Sequence, residues 1–219
     1  MPLRDILIIT FYACLTLALI LLKTFKVGNR RRGVVKMAAS LTFVAVGILG
    51  CVKIGVGLNI MLAIGLFFAM LGDLFLVFMD KRSLFIAGVL AFTVAGALFC
   101  VYSILQFGWQ WWSLFIFVAL SATSVLCQIF KVYDFGSCKV YLNVYTVFIF
   151  ACGALGFSLL CQGVANLPMF LFGLGCFLYC VSDVFLGLYM FRFRNRTIDA
   201  INSALYFSGM MLVAFSLLV

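Results

Sequence analysis

The chain has 219 residues, 67% of them hydrophobic and only 10% charged, with a mean hydropathy of +1.30. A soluble domain is nearer half apolar and a quarter charged, so this composition excludes that class and points to a helical integral membrane protein. The formal net charge of +9 comes with no histidine at all, which removes imidazole metal sites, Ser-His-Asp triads and the usual physiological-pH switch.

Apolar runs long enough to span a bilayer recur along the whole chain. They predict eight helices, near residues 6–22, 35–52, 58–78, 84–105, 111–130, 140–161, 167–191 and 200–219. The first run has Lys23-Thr24-Phe25-Lys26 where a cleavable leader carries small residues, so it reads as a span. Pro168 falls in the first turn of the seventh helix, where a missing N–H is tolerated. Trp109, Trp111 and Trp112 suit an interfacial belt. Loops are short. The expected fold is therefore an all-α integral membrane bundle of eight transmembrane helices, forming a single transmembrane domain over residues 1–219.

Basic residues set an orientation. The first loop holds Lys23, Lys26, Arg30, Arg31, Arg32 and Lys36. The third holds Lys81 and Arg82, the fifth Lys131 and Lys139, and the seventh Arg192, Arg194 and Arg196. Thirteen of the fifteen Lys and Arg thus share one side, with Arg4 and Lys53 on the other. The positive-inside rule places that side in the cytoplasm and both termini outside, in a multi-pass protein of the cell membrane. The positive charge then reports topology and contact with anionic lipid, and no nucleic-acid partner is expected. The nine cysteines, mostly within spans, form no C-x-x-C pair and read as small apolar filler.

Two apolar runs each carry one acid. Leu71-Gly72-Asp73-Leu74-Phe75-Leu76 is echoed by Val181-Ser182-Asp183-Val184-Phe185-Leu186. A carboxylate inside a span costs about 2.5–3.5 kcal/mol on insertion scales, so an intramembrane aspartate suggests a function. At a shift of 110 residues, Gly65, Phe67, Asp73, Phe75 and Leu76 fall on Gly175, Phe177, Asp183, Phe185 and Leu186. Either the two halves, 1–106 and 107–219, form a parallel repeat of four helices each, or a Phe/Leu/Gly-rich composition has matched itself.

Both aspartates belong to helices running the same way, at depths differing by roughly one turn. Gly65, Ala69 and Asp73 form one i,i+4 stripe, and Gly175, Tyr179, Asp183 and Gly187 another, which is the pattern of tight helix interfaces. Lys36 and Ser40, Asn143 and Tyr145, and Asn202 and Tyr206 collect at the same depth, suggesting a polar pocket at the cytoplasmic leaflet. Each acid could instead serve helix packing or an ion pair, with Lys36 for example. The tyrosines could be interfacial aromatics and Lys36 a topology signal. Asp80 is expected in the loop with Lys81 and Arg82, solvated or at the pocket mouth. If the acids meet, they hold one proton between them, and one group can donate it while the other activates water. Hydrolysis without a metal, cofactor or nucleophilic serine suits such a pair.

The residues resemble the YhhN-type lysoplasmalogenases, small eight-span membrane proteins. Leu71-Gly72-Asp73 followed by Asp80-Lys81-Arg82-Ser83-Leu84-Phe85-Ile86-Ala87-Gly88 is similar to that family's G-D motif and its sequel, and Val181-Ser182-Asp183 to its second motif. Lys36 resembles the lysine opening its second span, with Met37 where proline is usual, and Tyr145 and Tyr206 fall where the family has tyrosine. The chain departs from the pattern at Gly96, where a histidine is expected, at Phe99 (tyrosine) and near Met210 (glutamine).

The resemblance implies hydrolysis of the vinyl-ether bond of a lysoplasmalogen to a fatty aldehyde and a glycerophospho-head group. It implies Asp73 and Asp183 as the catalytic acids. Lys36 would take the lipid phosphate, and Tyr145 and Tyr206 would orient the carboxylates. Asn143, Asn202 and Ser182 complete the expected substrate-binding set. The competing readings are a proton-coupled transporter relaying protons through the same aspartates, and a non-catalytic membrane scaffold.

Overall fold

The computed structural model describes residues 3–25, 29–78, 81–132, 135–164 and 166–219. Lys26 and Asp80 lie outside the described residues. The described residues form eight α-helices: α1 (Leu3–Thr24), α2 (Asn29–Ile54), α3 (Asn59–Val77), α4 (Arg82–Phe107), α5 (Ser113–Ile129), α6 (Lys139–Leu160), α7 (Leu167–Leu188) and α8 (Arg196–Phe215). Seven of them are long and apolar enough to cross a membrane, and α5, at 17 residues, falls just short of that length. The architecture is the expected all-α membrane bundle.

Helix ends differ from the hydropathy reading where polar residues cap. α2 starts at Asn29, so Arg31 and Arg32 lie in its first turns. α8 starts at Arg196 because the Asn195 side chain accepts a hydrogen bond from the Thr197 N–H. Asn166 does the same for Met169 N–H at the head of α7, with Pro168 in the first turn. The three tryptophans are exposed and precede α5 rather than opening it. At its far end α7 runs into a π-helical turn, Tyr189–Phe193, closed by Arg194 in the left-handed region at φ 41°.

Consecutive helices alternate in direction. The C-terminal ends of α1, α3 and α7 therefore meet the N-terminal ends of α2, α4, α6 and α8 at one end of the bundle, where the basic loops gather. The broadest packing is between α7 and α8 and between α3 and α4, while α5 rests mainly on α6. Phe43, Leu62, Leu66, Phe99, Phe172, Tyr179 and Phe207 fill the middle and are fully buried. Tyr12 donates its hydroxyl to the Phe207 carbonyl at 2.8 Å, tying α1 to α8.

The α7–α8 contact depends on two glycines. A Cβ at Gly175 would stand 2.7 Å from the Gly209 carbonyl oxygen, and one at Gly209 would stand 2.8 Å from that of Gly175. Backbone meets backbone there, so no side chain can swing aside. Gly175→Leu is expected to cost about 1–3 kcal/mol of stability by overpacking. Thermal unfolding in detergent should show a lower midpoint, and an unchanged midpoint would reject the close crossing.

Candidate functional site

Asp73 continues the buried stripe of α3, one turn beyond Ala69, and is only 1% exposed. Its helix face, set by the apolar residues before it, turns the carboxyl into the bundle. Three donors meet it. Lys36 Nζ lies 3.0 Å from Oδ1, Ser40 donates to Oδ2 at 2.6 Å, and Tyr206 donates to Oδ2 at 2.8 Å. Lys36 and Ser40 are one turn apart on α2, so a single helix face supplies both. Both carboxylate oxygens are engaged and the charge is balanced by an ammonium.

Asp183 sits in a different setting. It is half-buried near the end of α7, and Tyr145 of α6 donates to its Oδ2 at 2.5 Å. Among the described residues no ion pair reaches it. Tyr179 lies one turn before Asp183 on α7, fully buried, with a hydroxyl that makes no hydrogen bond within geometric limits among the described residues. It stands within electrostatic reach of both acids.

The two aspartates border one cavity of about 340 Å³ at the basic end of the bundle. Lys23, Arg32 and Lys36 line it with Asp73, Asp183 and Asp199, so three basic and three acidic side chains share it. Lys23 at the end of α1 pairs with Asp199 of α8 at 2.5 Å and donates to Ser203 at 2.6 Å. Asn202 and Tyr206 complete that wall.

A second, smaller chamber of about 80 Å³ lies behind Asp183, walled by Phe85, Val89, Phe92, Leu142 and Phe191. Leu76, Phe92, Asp183, Leu186 and Met190 belong to both spaces. Asp183 therefore stands on the partition between a charged cavity and a hydrocarbon one. The π-helical turn runs along the floor of both, through Tyr189 and Met190 on the polar side and Met190 and Phe191 on the apolar side. Phe191 closes edge-on against Phe135, with ring centres 5.1 Å apart.

The structure thus brings together Asp73, Asp183, Lys36, Tyr145, Tyr206 and Asn202. Two expected residues fall elsewhere. Asn143 points away from this cavity and accepts from Gln128 of α5 at 3.0 Å, because it lies half a turn from Tyr145 on α6. Ser182 is fully buried and donates to the Tyr179 carbonyl at 2.7 Å, so it serves the α7 backbone. Lys36, expected at the lipid phosphate, forms an ion pair with Asp73. Sequence reasoning missed Lys23, Asp199 and Ser203. The i,i+4 spacing of Asp199 and Ser203, on the face that leads to Tyr206, was the available signal.

Fold and site together define a polytopic helical membrane protein with a polar, doubly acidic cavity inside the bundle. The chain belongs to the YhhN family, whose model matches residues 31–217 and so covers nearly all of α2 to α8 and the whole cavity except Leu19 and Lys23. No curated protein and no solved structure matches it.

Proposed function

We propose that this protein is a membrane-embedded hydrolase that cleaves the vinyl-ether bond of lysoplasmalogens. The observation that carries the reading is the position of Asp183, on the wall shared by a charged cavity and an apolar chamber. A single-chain ether lipid has its reactive bond at the same kind of boundary, between a phosphorylated glycerol and a hydrocarbon tail.

The two acids take different roles. Asp183 has a tyrosine beside it and no ion-pair partner among the described residues, so it carries the proton. It gives that proton to the alkenyl carbon next to the ether-bearing carbon, and an oxocarbenium ion forms. Asp73, held as a fixed carboxylate by Lys36, Ser40 and Tyr206, stabilises that cation across the cavity. Water adds to the oxocarbenium carbon and returns a proton to Asp183. The resulting hemiacetal then breaks its C–O bond to give the aldehyde and the free glycerol hydroxyl. One water is consumed, and the catalyst is unchanged. The basic rim of Lys23, Arg32 and Lys36 favours the lipid phosphate electrostatically. In the orientation that the basic loops favour, this end faces the cytoplasm.

The test is aldehyde release from lysoplasmalogen by the purified protein in detergent or liposomes. Release supports the reading. No release, together with substrate-dependent proton flux in liposomes, would replace it with transport, and inertness in both assays would leave a scaffold. Tyr145→Phe should lower the rate roughly 10- to 100-fold, since a hydrogen bond to an ionisable group contributes roughly 1.5–3 kcal/mol. Unaltered steady-state rates for that variant would remove Tyr145 from the mechanism.

A further inference from the structure

A third cavity has no place in the reaction above. It lies between α5 and α6, has a volume of about 420 Å³, and meets the spaces around Asp183 only through Thr146, which also lines the apolar chamber. Ser121, Ser124 and Gln128 of α5 face Lys139, Asn143 and Thr146 of α6 across it. The spacings are i, i+3, i+7 on one helix and i, i+4, i+7 on the other, so each helix offers one continuous polar stripe. Seven residues of rise make the groove about 10 Å deep from Lys139 at the basic end.

Such a groove is out of place in a bilayer. Polar side chains at membrane depth are costly unless something satisfies them. The Gln128 amide donates to Asn143 at 3.0 Å, and Thr146 donates to its own helix at 2.7 Å. The Ser121 Oγ is buried and finds no partner among the described residues. The Asn143 amide N–H groups and the Lys139 ammonium add donors, and among the described residues no acidic side chain lines the groove. A set of donors with one cation and no acid calls for an anion with several acceptor oxygens. In addition, α5 packs mainly on a single neighbour, so this side of the bundle has room for a non-protein partner.

We propose that the α5–α6 groove binds the phosphodiester head group of an anionic membrane lipid and that this lipid holds α5 in place. Lys139 meets the phosphate at the mouth. The Asn143 amide and the Ser121 hydroxyl take oxygens deeper in, and the acyl chains lie along Val125 and Val147. The site does not rest on the hydrolase reading, because neither acid contributes to it, and the one residue it shares with their cavities, Thr146, bonds to its own helix and has no role in that reaction.

The experiment is native mass spectrometry of the purified full-length protein titrated with phosphatidylglycerol, phosphatidylcholine or inorganic phosphate. The wild type should retain one phosphatidylglycerol about tenfold more tightly than phosphatidylcholine, the ratio that one charge-assisted contact supplies. Lys139→Gln, which removes the cation, and Ser121→Leu, which fills the groove without touching the Gln128–Asn143 bond, should each abolish that preference while keeping the helical circular dichroism of the wild type. Should one variant not fold, the other decides. Equal retention of the two lipids by the wild type, or an intact preference in a folded variant, would overturn the proposal. So would inorganic phosphate binding as tightly as the lipid, which would make this a free-phosphate site.

Discussion

Asp183→Asn is expected to lower aldehyde release from lysoplasmalogen by about 10²–10⁴-fold, the range that a positioned general acid contributes. Asparagine has the shape of aspartate and can still accept from Tyr145, so the helix packing around it should persist. What it lacks is a proton acidic enough to reach an alkenyl carbon. The effect should therefore fall on the turnover rate, with the affinity for the lipid little changed, because the group acts in the transition state rather than in binding. Steady-state kinetics in mixed micelles, alongside an unfolding scan showing a wild-type midpoint, would measure both. Full activity in Asp183→Asn would end the proposed mechanism. Asp73 offers a contrast. Its carboxylate is saturated by three donors and does not give up a proton in this scheme, so its loss removes charge stabilisation and leaves the acid in place.

The largest stability effect is expected at Lys36. Asp73 is almost wholly enclosed, and the Lys36 ammonium is its one cation among the described residues. Lys36→Met would strand a buried carboxylate, and breaking a buried pair from one side costs about 3–5 kcal/mol. Lys36→Met combined with Asp73→Asn should recover much of that loss, since the double variant leaves no charge unpaired. Unfolding midpoints of the two single variants and the double variant, measured in one detergent, test the coupling. Additive losses would mean that the pair is not what holds the carboxyl there. The same argument explains why Lys36 was only half legible in the sequence. Its position at the head of the second span allowed a topology signal, a phosphate ligand or an ion pair, and only the packed structure shows the 3.0 Å contact with Asp73.

The neighbours of other residues were not legible for a related reason. Helical periodicity says which residues of one helix share a face, and it correctly put Ser40 with Lys36 and Asp73 with Ala69. It cannot say which helix that face meets. Asn143 and Tyr145 are two positions apart and so point to different neighbours, one to Gln128 of α5 and the other to Asp183 of α7. Both had been assigned to one pocket on depth alone. Lys23 and Asp199 are 176 positions apart, and nothing in either local context indicates that α1 packs on α8.

Composition and hydropathy alone dictate that the chain is a bundle of membrane-spanning helices. In hydrocarbon each backbone must bond to itself, and run length then counts the helices almost without ambiguity. The echo of Asp73 at Asp183 likewise exposes the two costly groups, because an acid in an apolar run stands out against its surroundings. Only the packed structure separates those acids into an ion-paired carboxylate and one that has no ion pair among the described residues. It alone opens the charged cavity on one side of Asp183 and the apolar chamber on the other. The charge balance around a buried acid comes from side chains on other helices, through contacts of a few ångströms, and those contacts exist only once the helices have chosen their neighbours.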